Sequence, residues 1–175
     1  MPAKSNCNPP QRDLAGVGGA IGRADTKHEV VVYQSTLYGG GISAASNIRL
    51  EATIYLEFHH LVRGWTIQGN KFGPGIPIAA VNEGLANVFA ETSTNTSFEV
   101  NSHPDNSDQW FLEIKALPVD ANYNQWMNEH PEGRIAIRYR VGSYIVHRAM
   151  ESFGMSILEL NQLSPEEILS LVEED

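Results

Sequence analysis

A chain of 175 residues is the size of one domain and can bury about two thirds of its unfolded surface in a single core; with 42% hydrophobic and 19% charged residues it is too apolar for a disordered polymer. The net charge of -9, from 21 acidic and 12 basic residues with no block of Lys and Arg, argues against a phosphate-binding stripe and hence against a nucleic-acid partner. The one cysteine, Cys7, excludes an intramolecular disulfide and a thiolate metal cluster. No stretch approaches the roughly 20 apolar residues of a membrane span, and Met1 to Asn6 lack an apolar signal core, so the expectation is a cytoplasmic protein with no membrane partner.

Residues 1–25, with Pro9-Pro10 and then Gly16-Val17-Gly18-Gly19, read as an irregular N-terminal segment, and residues 26–175 as one domain. The glycine loop lacks the Lys-Ser/Thr of a P-loop and is no phosphate cradle. Val30 to Tyr33 is a β-branched run ended by Gly39-Gly40-Gly41 and predicts a strand opened by His28-Glu29. A helix is expected from about Ile48 to Arg63, capped by Ser46 or Asn47 and stopped by Gly64. Leu50, Ile54 and Leu61 would form its core stripe, with Glu57 in the same row. A second helix, from Ile78 to about Glu91, carries the stripe Ile78, Val81, Leu85 and Val88; Glu83 lies on a row of small residues, Ala79, Ala86 and Ala90, where another backbone can approach. Asn95-Thr96-Ser97 fits a glycosylation acceptor, a pattern that arises readily by chance.

Further on, Trp110 to Ile114 predicts a short helix capped by Ser107 or Asp108 and ended before Pro118, the segment around Trp126 is ambiguous, and Ile135 to Phe153 reads as helical with Gly154 as its stop. Ser164-Pro165-Glu166-Glu167 combines cap, first-turn proline and capping-box glutamate, and opens a last helix toward Val172. The resulting class is α+β, mostly helical, with a small β component.

Chemistry concentrates on the first long helix. Leu56-Glu57-Phe58-His59-His60 is the HExxH frame of a zinc peptidase with leucine in the first histidine position. In an intact HExxH the two histidines bind zinc and the glutamate serves as general base, and Glu83 stands where a third ligand is found in one class of these enzymes. The stretch Leu56 to Arg63, the following Glu83-Gly84-Leu85-Ala86, the upstream Gly16 to Gly19, Tyr139 to Gly142 and the Leu163 to Glu167 ending together resemble a family of predicted zinc-dependent peptidases, a gluzincin-like domain of unknown function. The resemblance implies a zincin-like metalloprotease fold, with a small β-sheet packed on the active-site helix. It also implies a metal site at His60 and Glu83, to which the loss of a histidine at Leu56 leaves two of three ligands.

His59 points about 100° away from His60 on a regular helix and could substitute only if the helix is distorted; His28, His103, His130 and His147 are further candidates brought in by the fold. Zinc or another divalent metal, held by His60, Glu83 and a non-standard ligand, is therefore one reading. Without metal, the apolar neighbours Leu56 and Phe58 would raise the pKa of Glu57 toward neutrality and poise it for acid/base work with His60 and Glu83 on a small, partly apolar substrate. A non-catalytic, peptidase-like binding protein is the third. Tyr139 and Tyr144 are candidate hydrogen-bond donors to a reacting oxyanion or else core residues, Leu56, Phe58 and Arg63 candidate substrate contacts, and Arg63 a candidate partner for Glu57 or Glu83.

Overall fold

The computed structural model describes residues 14–128 and 130–173; Cys7 and the Pro9-Pro10 start lie outside them. Two strands, β1 (Ala20–Thr26) and β2 (Glu29–Gln34), form an antiparallel hairpin. The first strand corrects the expectation of an irregular segment to residue 25: Ala20 to Thr26 pair with Gln34 to Glu29, so no boundary falls between them. The glycine-rich Gly18 and Gly19, both at positive φ, only turn the chain into that strand. Beyond the free edge of β1, Ile67 and Gln68 donate backbone hydrogen bonds to Ala24 and Asp25 at 3.0 and 2.9 Å. The strand at the site is thus held from both sides.

Helices follow: α1 (Gly41–Ala45), a π-helical turn (Ser46–Leu50), α2 (Glu51–Arg63), α3 (Ile76–Thr94), α4 (Ser107–Lys115), α5 (Tyr123–Met127), α6 (Ile137–Phe153), α7 (Ile157–Leu160) and α8 (Pro165–Glu173). Among the described residues no helix is long and apolar enough to cross a membrane. Ser46 is not a cap, because the chain is already helical from Gly41; its hydroxyl instead accepts from Gln34 Nε2 at 2.7 Å. Nor does Ser107 cap α4, since its hydroxyl donates to the Pro104 carbonyl. The expected stops hold: Gly64 and Gly154 close α2 and α6 in the left-handed region, where glycine is unstrained. The last helix has its capping box, with Ser164 and Glu167 exchanging hydrogen bonds of 2.7 and 3.2 Å.

Central to the molecule is α3, whose small and apolar residues are buried on almost every side, against α2 on one flank and α6 on the other. The main core gathers Leu85, Val88, Ile114, Val141, Ile145, Leu160 and Ile168 from α3, α4, α6, α7 and α8. Gly84 and Gly142 let α3 and α6 touch backbone to backbone. On α2 the buried face is not the expected stripe. Ile54 is exposed and Leu50 and Leu61 only half-buried, whereas Thr53, Leu56, Glu57, His60 and Arg63 are buried. The hairpin and α3 pack onto the polar side of this helix, so Phe58 and Val62, 54% and 75% exposed, face outward. This helix thus buries its ionisable side, an arrangement that costs stability unless those groups find partners.

Candidate active site

A half-open cavity of about 1150 Å³ lies between the hairpin, α2, α3 and the first turn of α6. Leu56, Glu57, His60, Glu83 and Tyr139 all line it. Sequence reasoning placed these five in one site, and the fold brings them together because α2 presents residues 53, 56, 57 and 60 on one face and α3 runs beside it.

Glu57 is 5% exposed and pressed against the backbone of β1. A Cβ at Gly22 would lie 2.3 Å from Glu57 Cγ and 2.6 Å from Oε1, so the strand approaches this carboxyl as closely as only glycine permits. Burial drives the Glu57 pKa up to about 7; His60 opposes the rise, Glu83 adds to it, and an amide hydrogen bond from Ala24 and the Arg138 charge pull back. One turn on, His60 Nε2 sits 3.5 Å from Glu83 Oε2. Burial alone would discharge His60, but the charge and hydrogen bond of Glu83 outweigh it and raise its pKa. Burial would likewise raise Glu83, yet His60, Arg138 and the Trp65 indole, which donates to Oε1 at 3.0 Å, bring it down to about 2. The two form an imidazolium–carboxylate pair beside a carboxyl that titrates near neutrality. Tyr139 is pushed above the usual phenol range, first by burial, and stays a neutral hydrogen-bond donor.

Other expectations are corrected. Phe58 points to solvent and does not line the cavity. Arg63 pairs with neither Glu57 nor Glu83: it is buried and donates to Asn82 Oδ1 at 2.6 Å and to the carbonyls of Asn161 and Leu163, tying α2 to α3 and to the segment before α8. Tyr144 lies outside the cavity, its hydroxyl accepting from Arg148 and its ring against His103 and Phe111. The residues that sequence reasoning missed are Arg138 on α6, Arg49 in the π-helical turn, Tyr123 and Trp65, all in the wall. Arg138 adjoins the Tyr139 of the family-like Tyr-x-x-Gly stretch, which was the available signal.

The zinc implied by the resemblance needs three protein ligands, and the residues present do not fit it. Leu56 is buried against Ala86, Ala90 and Tyr139, an apolar contact at the first ligand position. His59 turns away from His60 onto Phe89, 5.2 Å between ring centroids, and burial depresses its pKa to about 3. His103 packs on His147 and His130 on Trp126, and His28 lies at the hairpin turn, so none of the four reaches the cavity wall. Among the described residues no group of three or more His, Cys, Asp and Glu is placed to hold a metal ion. Compared with protein-family models, curated proteins and solved structures, the chain gives no match.

Gly22→Ala tests whether the closeness of strand and carboxyl matters. The new methyl must push the buried Glu57 side chain aside from Cγ outward, so the expected result is a folded protein of lower melting temperature in which the Glu57 carboxyl shows a shifted NMR resonance and titration midpoint. An unchanged Glu57 signal would mean that the contact is not made.

Proposed function

We propose that the protein is an enzyme on a zincin-like helix pair that has lost zinc proteolysis and uses Glu57, with His60 and Glu83, for acid/base chemistry on a small, partly apolar molecule. The observation that carries this reading is a carboxyl, Glu57, buried against β1 in the wall of a cavity large enough for such a substrate, where burial pushes its pKa up to about 7. Near neutral pH Glu57 is present in both protonation states, so it can take a proton from carbon or oxygen and return it within one turnover. His60, held as a cation by Glu83, faces developing negative charge, and the neutral Tyr139 hydroxyl can donate to an oxyanion. Leu56 supplies apolar wall where a peptidase would present its first zinc-binding histidine. Isomerisation, cyclisation or elimination, each a proton taken at one atom and delivered at another, are the reactions this arrangement suits.

Incubating the protein in deuterated water with small carbonyl compounds and following deuterium incorporation by mass spectrometry tests the reading. Wild type should exchange or convert members of the set and Glu57→Gln should not; equal exchange by both proteins would sink it.

Leu56→His restores the missing position. With His60 one turn away and Glu83 opposite, the variant should take up one equivalent of zinc, detectable by elemental analysis after dialysis, and bind it at least about 100-fold more tightly than wild type. No gain over wild type would contradict the zincin-like placement of the two helices.

A further inference from the structure

Resting on the reading of the cavity as an active site, we infer that its ligand carries an oxyanionic group, a carboxylate or phosphate on a partly apolar body, held by Arg138 and Arg49. Among the described residues four cationic side chains line the cavity, and two of them are accounted for: Arg23 by Asp25 at 2.6 Å and His60 by Glu83 at 3.5 Å. Arg49 and Arg138 have no carboxylate within 4 Å among the described residues. Arg49 is 8% exposed, its guanidinium fixed 3.5 Å above the Phe98 ring, and it feels Glu91 only at longer range. Arg138 sits in the first turn of α6, braced by Asn128 Oδ1 at one end and by the Tyr139 ring, 4.7 Å away. In both side chains the Nε–H is buried and meets no acceptor among the described residues.

A guanidinium with a buried, unsatisfied Nε–H is costly without a counter-ion, and among the described residues no acidic side chain comes within 4 Å of either arginine. Among the described residues a phenol, Tyr139, lies within electrostatic reach of both arginines; Arg138 also feels Glu83, which His60 already pairs, and Glu57. In a protein with a net charge of -9, the described residues of this cavity thus carry, once the His60–Glu83 pair cancels, more positive charge than Glu57 can neutralise. Guanidinium edges match carboxylate and phosphate oxygens, and the Tyr139 hydroxyl adds a neutral donor. Met127, Ile135 and Leu56 in the same wall suit the apolar remainder of the ligand. An anion bound there lies close to Glu57, whose carboxyl already senses the Arg138 charge.

The test uses the full chain and three probes of similar size, 3-phenylpropanoate, 2-phenylethyl phosphate and the neutral 3-phenylpropanamide, with affinities from ligand-observed NMR and calorimetry. At least one anion should bind about tenfold or more tightly than the amide, and the stronger of the two identifies the group. Arg138→Gln should cut that preference by about tenfold and Arg138→Lys should keep part of it. Arg49→Lys, checked by circular dichroism, guards against a folding artefact from emptying the buried position. Glu57→Gln, which removes negative charge close to the anion, should bind the anions at least as tightly as wild type while losing turnover, and this separates the inference from the acid/base reading. The inference is overturned if the amide binds as well as both anions, if neither anion binds, or if the preference survives in Arg138→Gln.

Discussion

Glu57→Gln is expected to abolish turnover by two to four orders of magnitude and, above neutral pH, to yield a more stable protein. The first effect is the usual range for removing a general acid or base, about 10²- to 10⁴-fold. The second follows from proton linkage. The folded protein binds a proton at Glu57 with a pKa of about 7, against the ordinary value of 4.5. Folding is therefore favoured by that proton fully below the unfolded value, and the benefit is lost as pH rises through about 7. At about 1.4 kcal/mol per unit, wild type should lose on the order of 3 kcal/mol relative to Glu57→Gln between pH 4 and 9. Glu83 runs the other way: its carboxylate, held down to about 2, stabilises the fold above the ordinary value of 4.5 and loses that contribution in acid. Urea denaturation of both proteins across this range isolates the Glu57 part, because Glu83 is common to both. Parallel stability profiles would show that Glu57 titrates as an ordinary surface carboxylate.

Gly84→Ala carries the largest expected loss of stability. A methyl on Gly84 would sit 2.2 Å from the Gly142 carbonyl carbon and oxygen, and one on Gly142 would sit 2.3 Å from the Ala80 carbonyl oxygen. Backbone meets backbone here, so no side chain can swing aside and the α3–α6 crossing must open. Alanine gains about 1 kcal/mol over glycine in a helix interior, whereas overpacking a tight contact costs about 1–3 kcal/mol and more where the backbone must move. The clash wins, and a net loss of at least about 3 kcal/mol in urea denaturation is expected for either substitution. Gly39→Ala, with nothing within 4 Å of its added methyl, is the matched control. A more stable Gly84→Ala protein would mean that the two helices are not in contact at this point.

These two positions mark what the sequence made legible. The helix pair was readable from Glu57, His60 and Glu83, because helical spacing fixes which side chains share a face whatever packs on them. The small row Ala79, Ala86 and Ala90 announced a close neighbour to α3, and α2 does pack there through Leu56. What local pattern could not reveal was orientation in the whole. Leu50, Ile54 and Leu61 look like a core stripe, yet the hairpin and α3 cover the polar face of α2 and leave Ile54 exposed and the two leucines half-buried. Residues 20–25 looked irregular because Gly22 and Gly18-Gly19 weaken a strand pattern, and the reason for Gly22, the nearby Glu57 carboxyl, lies 35 positions away in the chain. Arg49 and Arg138 were invisible as site residues for the same reason: an arginine on a helix is ordinarily solvated, and only the fold shows these two lining the cavity with no carboxylate within 4 Å among the described residues.

The central claim is that the Glu57 carboxyl is poised near neutral pH, and its side-chain carbon reports this directly. In protein labelled with ¹³C at the glutamate carboxyl carbon, one resonance should be missing from Glu57→Gln, and in wild type that resonance should titrate with a midpoint near 7. A midpoint between about 4 and 5, the range of an unperturbed glutamate, would contradict the account.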